Sequence, residues 1–221
     1  MTLISNIIHN DFIIIASDKR RTVIVNQNEQ YSVDDEKKLL LGINYAIGVQ
    51  GSLSTKNEKY LIKLREFVLS NEVNNPLEII PLILKLFPDI SKDENCSDLN
   101  LTFSGFFENS LFSYYLKLKT NDVINCVETD TFNIRFNNEN NKDEDMLVRR
   151  SLLYIKVYLQ ENNVYNRIAL PNITEFDRAT IIEALNFMYG KFHSNDVDFY
   201  TIGGEMEYCI FSNNSIIQTN L

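Results

Sequence analysis

Segments with two different apolar periods succeed one another along this chain in blocks, and that grouping constrains the fold more than any single residue does. "TLISNII" and "DFIIIAS" are short apolar runs separated at His9-Asn10-Asp11, which predicts a hairpin with a tight polar turn, and "TVIVN" follows as a third strand. Beyond a polar loop through Asp35, "KKLLL" and "YAIGVQ" read as a second hairpin around Gly42-Ile43-Asn44. Two helices come next. Thr55 and Glu58 have capping-box spacing, and Tyr60, Leu64, Phe67 and Val68 share one helical face. Asn75 before Pro76 is an N-cap followed by a favourable first helical residue, opening an apolar run that stops at Pro88 and should bend at Pro81. "LNLTFSGFF" and "LFSYYLKLK" then alternate as half-buried strands. A helical pattern runs from about Asp143 to Glu161, and Thr174 with Asp177 caps another whose Ile181, Leu185, Met188 and Phe192 share a face. "DFYTIGGEMEYCIF" and "SIIQT" close the chain as strands.

The order is therefore strands, two helices, strands, two helices, strands. Helices grouped in pairs rather than alternating singly with strands argue against a parallel βαβ fold and for antiparallel sheets with helices on their outer faces. We expect an α+β fold, a four-layer αββα sandwich with two antiparallel sheets between helix pairs. The 221 residues fit one domain, 1–221, without repeats or low-complexity linkers.

Composition narrows the partners. A net charge of −9 with no basic run opposes binding to a phosphate backbone, so nucleic acid is not expected. No apolar run reaches the roughly 20 residues that cross a bilayer, and His9, Asn10 and Asp11 interrupt the first one, so no membrane partner and a cytoplasmic location are expected. Cys96, Cys126 and Cys209 are scattered, with no CxxC pair, and only His9 and His193 could join them as soft ligands. Free thiols are expected, with no metal and no cofactor.

The opening residues raise a chemical possibility. Thr2 becomes a free amino terminus once Met1 is trimmed, and one residue then carries both a hydroxyl and an α-amine, whose pKa of about 7.7–8.0 suits a base near neutral pH. Around it stand "ASDKRRT" at the end of the first hairpin, a lysine before the second hairpin, a glycine at that hairpin's end, and "DFYTIGG" before the last strands. Taken in order, this set resembles the proteasome β-subunit type of N-terminal nucleophile (Ntn) hydrolase. The element order is similar over most of the chain, while the specific motifs lie in residues 2–22, 37–55 and 196–204.

The resemblance implies a threonine-type peptidase with Thr2 as nucleophile and no cofactor. Lys37, 14 residues before Gly51, matches the family's active-site lysine, and Lys38 is the adjacent alternative. Strand side chains alternate faces, so one of the two points into the site, and the spacing to Gly51 favours Lys37. Asp18 matches the acidic residue that holds the lysine charged and oriented. Arg20 matches a basic residue of the same network, and Thr22 a residue whose backbone pairs with an extended peptide substrate. Gly51 matches the position whose N–H faces the oxyanion. Asp198 and Thr201 match the pair that supports the nucleophile's amine, with Asp196 competing for the acidic role because Ile202 is inserted before Gly203-Gly204.

The chain also departs from the family. Where the family places a Ser in a Gly-rich turn, "FNIRFNNENNKDED" has neither residue, and the loop between Thr22 and Lys37 is longer than usual. Two other readings stand beside the peptidase: a non-catalytic scaffold subunit, and a peptide ligase similar to the archaeal connectases, which share a "DKR" after the second strand. Family relatives act in stacked rings, so a homo-oligomer is expected.

Overall fold

The computed structural model describes residues 2–26, 29–33, 36–51, 58–71, 75–88, 90, 92, 99–127, 132–137, 141–167, 173–195, 202 and 204–221. The chain begins with β1 (Thr2–Ile8), β2 (Phe12–Asp18), β3 (Arg21–Asn26), β4 (Glu29–Val33), β5 (Leu39–Leu41) and β6 (Tyr45–Gly51), followed by α1 (Glu58–Ser70) and α2 (Pro76–Leu86). Then come β7 (Leu99–Phe107), β8 (Ser110–Lys117), β9 (Asp122–Asn125), β10 (Phe132–Asn137), α3 (Asn141–Glu161), α4 (Glu175–Asn195), β11 (Met206–Ser212) and β12 (Ile216–Thr219).

One antiparallel sheet has the order β10-β1-β2-β11-β12 and the other β5-β6-β7-β8-β9. The helix pairs lie outside them. Leu64 of α1 and Ile79 and Ile83 of α2 pack on Ile47, Val49 and Leu101 of the second sheet. On the first sheet, Leu185 and Met188 of α4 with Leu159 of α3 cover Leu3, Ile14 and Ala16. Between the sheets, Ile4, Ile15 and Phe211 meet Leu39 and Ala46. These contacts make the αββα sandwich.

Burial on both faces explains the continuous apolar runs. In β2, Phe12, Ile14 and Ala16 face the helices while Ile13 and Ile15 face the other sheet, and every residue of the strand is buried. β7 is likewise buried on both faces along Leu99–Gly105, more than the half-buried strand its alternation predicted. Its polar positions point between the sheets. Asn6 Nδ2 donates to Ser113 Oγ at 2.6 Å, and the Ser104 hydroxyl lies 2.9 Å from Ser113 Oγ, so these buried groups join the two sheets. The sheets approach tightly at Gly48, where an added Cβ would stand 3.0 Å from Ile4 Cγ2.

Local signals set several element ends. Asn75 Oδ1 accepts from Leu77 N at 3.0 Å, capping α2 with Pro76 at its first turn. At α4, Thr174 Oγ1 accepts from Asp177 N at 3.2 Å while Asp177 Oδ2 accepts from Thr174 N at 3.1 Å, a reciprocal capping box. The cap expected at Thr55 lies outside the described residues. Three strands went unforeseen: β4 replaces part of the expected polar loop as a two-stranded hairpin with β3, and β9 and β10 occupy the edges of the two sheets.

Candidate active site

Register builds the site. Ile4 pairs with Ser17, which brings the end of β2 beside the start of β1, and the N–H of Leu3 donates to Asp18 Oδ1 at 2.9 Å. From the opposite sheet Lys38 approaches just before β5. Its Nζ donates to Asp18 Oδ2 at 2.8 Å and to the carbonyl of Arg20 at 2.6 Å. Both side chains of the pair are 0% exposed. In a low-dielectric interior such a pair is tolerated only with good geometry and further hydrogen bonds, and both are present here.

Glu207 completes the cluster from β11, in register with Ser17. Its Oε1 accepts from Lys38 N at 2.6 Å and Leu39 N at 2.7 Å. Burial pushes this carboxyl up from its ordinary value, against the opposing effect of those two N–H donors and of the Lys19 and Lys38 charges. Lys38 is also tied into the hairpin, since Val49 N donates to its carbonyl at 2.9 Å. β6 continues from there to Gly51, which pairs with Leu99.

The lysine that meets Asp18 is Lys38, where the spacing to Gly51 favoured Lys37. Successive N–H groups of an extended strand point to opposite edges, but those of Lys38 and Leu39 converge on one oxygen, so the chain bends as it enters β5. The simple alternation and the spacing to Gly51 assumed an unbent strand. Lys37 is left exposed, with its carbonyl accepting from Arg65 Nη2 at 3.3 Å.

The remaining expected residues fall as follows. Thr2 opens β1 in register with Asn137, one residue from the N–H that Asp18 holds. Arg20 is partly buried and enters the cluster through its carbonyl, and Thr22 lies in β3 opposite Ser32. Asp196, Asp198 and Thr201 lie outside the described residues. Two contributors escaped the sequence reading. One is Glu207, for which a charge at an inward position of an otherwise apolar strand was the available signal. The other is Tyr189, whose hydroxyl on α4 lies 3.0 Å from Ser5 Oγ and 3.2 Å from the carbonyls of Leu3 and Ala16, bracing β1 and β2 next to Asp18.

A fixed, buried ammonium beside the first strand can oppose protonation of a nearby amine and stabilise a developing alkoxide. Among the described residues no cluster of His, Cys, Asp or Glu is placed to hold a metal ion. Cys126 and Cys209 are buried, the Cys126 thiol donating to the Ile124 carbonyl at 3.7 Å, and burial pushes the Cys209 thiol up to about 12. No described helix is long and apolar enough to cross a membrane.

Two antiparallel sheets face to face between helix pairs form a proteasome-like sandwich. Solved structures with this fold include an Anbu (Gly-1) mutant from Hyphomicrobium sp. strain MC1, with a TM-score of 0.60 at 12% identity, covering 100% of this chain and 86% of that one. Anbu (ancestral beta-subunit) from Yersinia bercovieri superimposes with a TM-score of 0.60 at 14% identity and the same coverage. No protein-family model matches the chain, and no curated protein matches it in sequence.

Proposed function

We propose that this chain is a proteasome-like threonine-type peptidase that uses Thr2 as its nucleophile once Met1 is removed. The observation that carries the reading is the buried Asp18 carboxylate, which holds the N–H of Leu3 with one oxygen and the ammonium of Lys38 with the other. The Thr2 hydroxyl attacks the carbonyl carbon of a peptide and passes its proton to the α-amine. Collapse of the tetrahedral oxyanion breaks the C–N bond, the departing amine takes that proton, and an ester remains on Thr2. Water then attacks the ester, releasing the acid and restoring the hydroxyl. In this reading Lys38 keeps the amine unprotonated, the N–H of Gly51 faces the oxyanion, Asp198 and Thr201 support the amine, and the backbone of Thr22, with Arg20 nearby, receives an extended peptide.

Intact-mass measurement with electrophile labelling tests it. The expected result is a species lacking Met1 that is acylated at Thr2, at a rate rising with pH through the amine's titration, which the Lys38 charge places below the free value of about 7.7–8.0, and not labelled in Thr2→Ala. Full retention of Met1 without labelling leaves a scaffold subunit as the function. Joined peptides in place of cleaved ones give the ligase reading.

Assembly belongs to the same proposal. Leu69 and Leu77 on one helix layer are 86% and 70% exposed, and Leu153 and Phe176 on the other are 56% and 67% exposed. A homo-oligomer in which copies dock on these outer layers would bury those apolar side chains, and on that basis the assembly is proposed. Light scattering at micromolar concentration should give a multiple of the 25.7 kDa chain mass, and a monomer would refute this part.

A further inference from the structure

We propose that Glu207 is the positioning residue for Lys38, reaching from the opposite sheet to hold the backbone that aims the lysine at Asp18. The inference takes Asp18 and Lys38 as the site and so rests on the reading above. A carboxyl at this place in the sandwich needs a reason. Cys209 and Phe211, two and four positions on in β11, are buried between the sheets, and Glu207 is 0% exposed at the next inward position, where an apolar side chain would be the cheaper occupant.

What Glu207 does there is specific. β5 is the edge strand of its sheet, so among the described residues the chain entering it has no strand neighbour on its outer side. Two successive N–H groups form a small concavity suited to an anion, and Glu207 Oε1 fills it at 2.6 and 2.7 Å. The resulting bend separates the two lysines, with Lys37 exposed and Lys38 buried at 2.8 Å from Asp18. Among the described residues the buried Glu207 Oε2 has no hydrogen-bond partner, and the side chain's hydrogen bonds go to the backbone at Lys38 and Leu39 through its other oxygen. That assigns it a role through the backbone, without direct contact with a reacting group.

The test compares Glu207→Leu, which fills similar volume but accepts nothing, with Glu207→Gln, whose carbonyl can still accept from both N–H groups. Amide exchange at Lys38 and Leu39 and modification of Lys38 by an amine-reactive ester, both read by mass spectrometry, report the clamp whether or not the protein is an enzyme. In Glu207→Leu both should speed up by about tenfold or more, while Glu207→Gln stays close to the native protein. On protein with Thr2 exposed, the maximal rate of Thr2 acylation should fall in Glu207→Leu with little change in half-saturating electrophile, and recover in Glu207→Gln. A folded Glu207→Leu with native exchange and a protected Lys38 overturns the proposal. So does faster exchange with Thr2 acylation and its pH midpoint unchanged, which would make the clamp structural only. A native protein never acylated at Thr2 defeats the peptidase reading, while exchange and Lys38 protection still decide whether Glu207 positions the lysine.

Discussion

Removing the counter-ion of Lys38 is the most direct challenge to the buried pair. In Asp18→Ala, the ammonium remains in a fully buried place without its direct counter-ion, held by the Arg20 carbonyl at 2.6 Å, and the N–H of Leu3 loses its acceptor. Deleting one partner of a buried ion pair costs about 3–5 kcal/mol, because the other charge stays desolvated. For a chain of this length each 1 kcal/mol lowers the melting temperature by about 2–4 °C, so a loss of roughly 6–20 °C is expected. Chemical denaturation of Asp18→Ala, Lys38→Met and the double variant gives the coupling directly. Each single change should be strongly destabilising and the double variant less so than their sum, with a coupling of about 2 kcal/mol. A loss below about 1 kcal/mol in Asp18→Ala, the range of an exposed pair, would refute the burial on which the site rests.

Glu207 should leave a signature in the pH dependence of stability. Its folded value is raised by burial above the ordinary 4.5, so the folded state holds a proton that the unfolded chain releases, and this contribution is complete below the unfolded value and lost as pH rises through the folded one. Urea unfolding of Glu207→Gln against the native protein should therefore show the variant gaining relative stability as pH rises from about 4 and then levelling off, and a relative gain by the native protein would contradict it. Thr174→Ala removes one half of the α4 capping box and should cost about 1 kcal/mol in denaturant melts, with no loss counting against the cap. Gly105→Ala would drive a Cβ into the Asn44 carbonyl and to 2.7 Å from Tyr45 Cα, both backbone atoms, so about 1–3 kcal/mol of destabilisation is expected, and a melting temperature equal to the native one would contradict that packing.

Much of the architecture was legible because its causes are local. The hairpin at His9-Asn10-Asp11, the Asn75-Pro76 helix start and the Thr174/Asp177 box each depend on residues a few positions apart, and the blocks of periodicity order them into sheets and helix pairs. β4 and β9 were not legible, since "EQYSV" and "DVIN" carry short or weak apolar patterns and form strands by pairing with neighbours already in place, whereas the alternation of Phe132, Ile134 and Phe136 in β10 is a strand signal that its position beside a long polar run obscured. For the candidate site, Asp18 at the end of β2 came from the resemblance, which matches it to an acidic residue that holds the lysine. The choice between Lys37 and Lys38 could not be read from the chain. Both sit in the same local context, and the bend that buries Lys38 is made by a carboxyl 169 residues away, in a strand of the opposite sheet. Only packing one sheet on the other brings Glu207 to those two N–H groups, and the lower energy of a satisfied buried polar group then decides which ammonium meets Asp18.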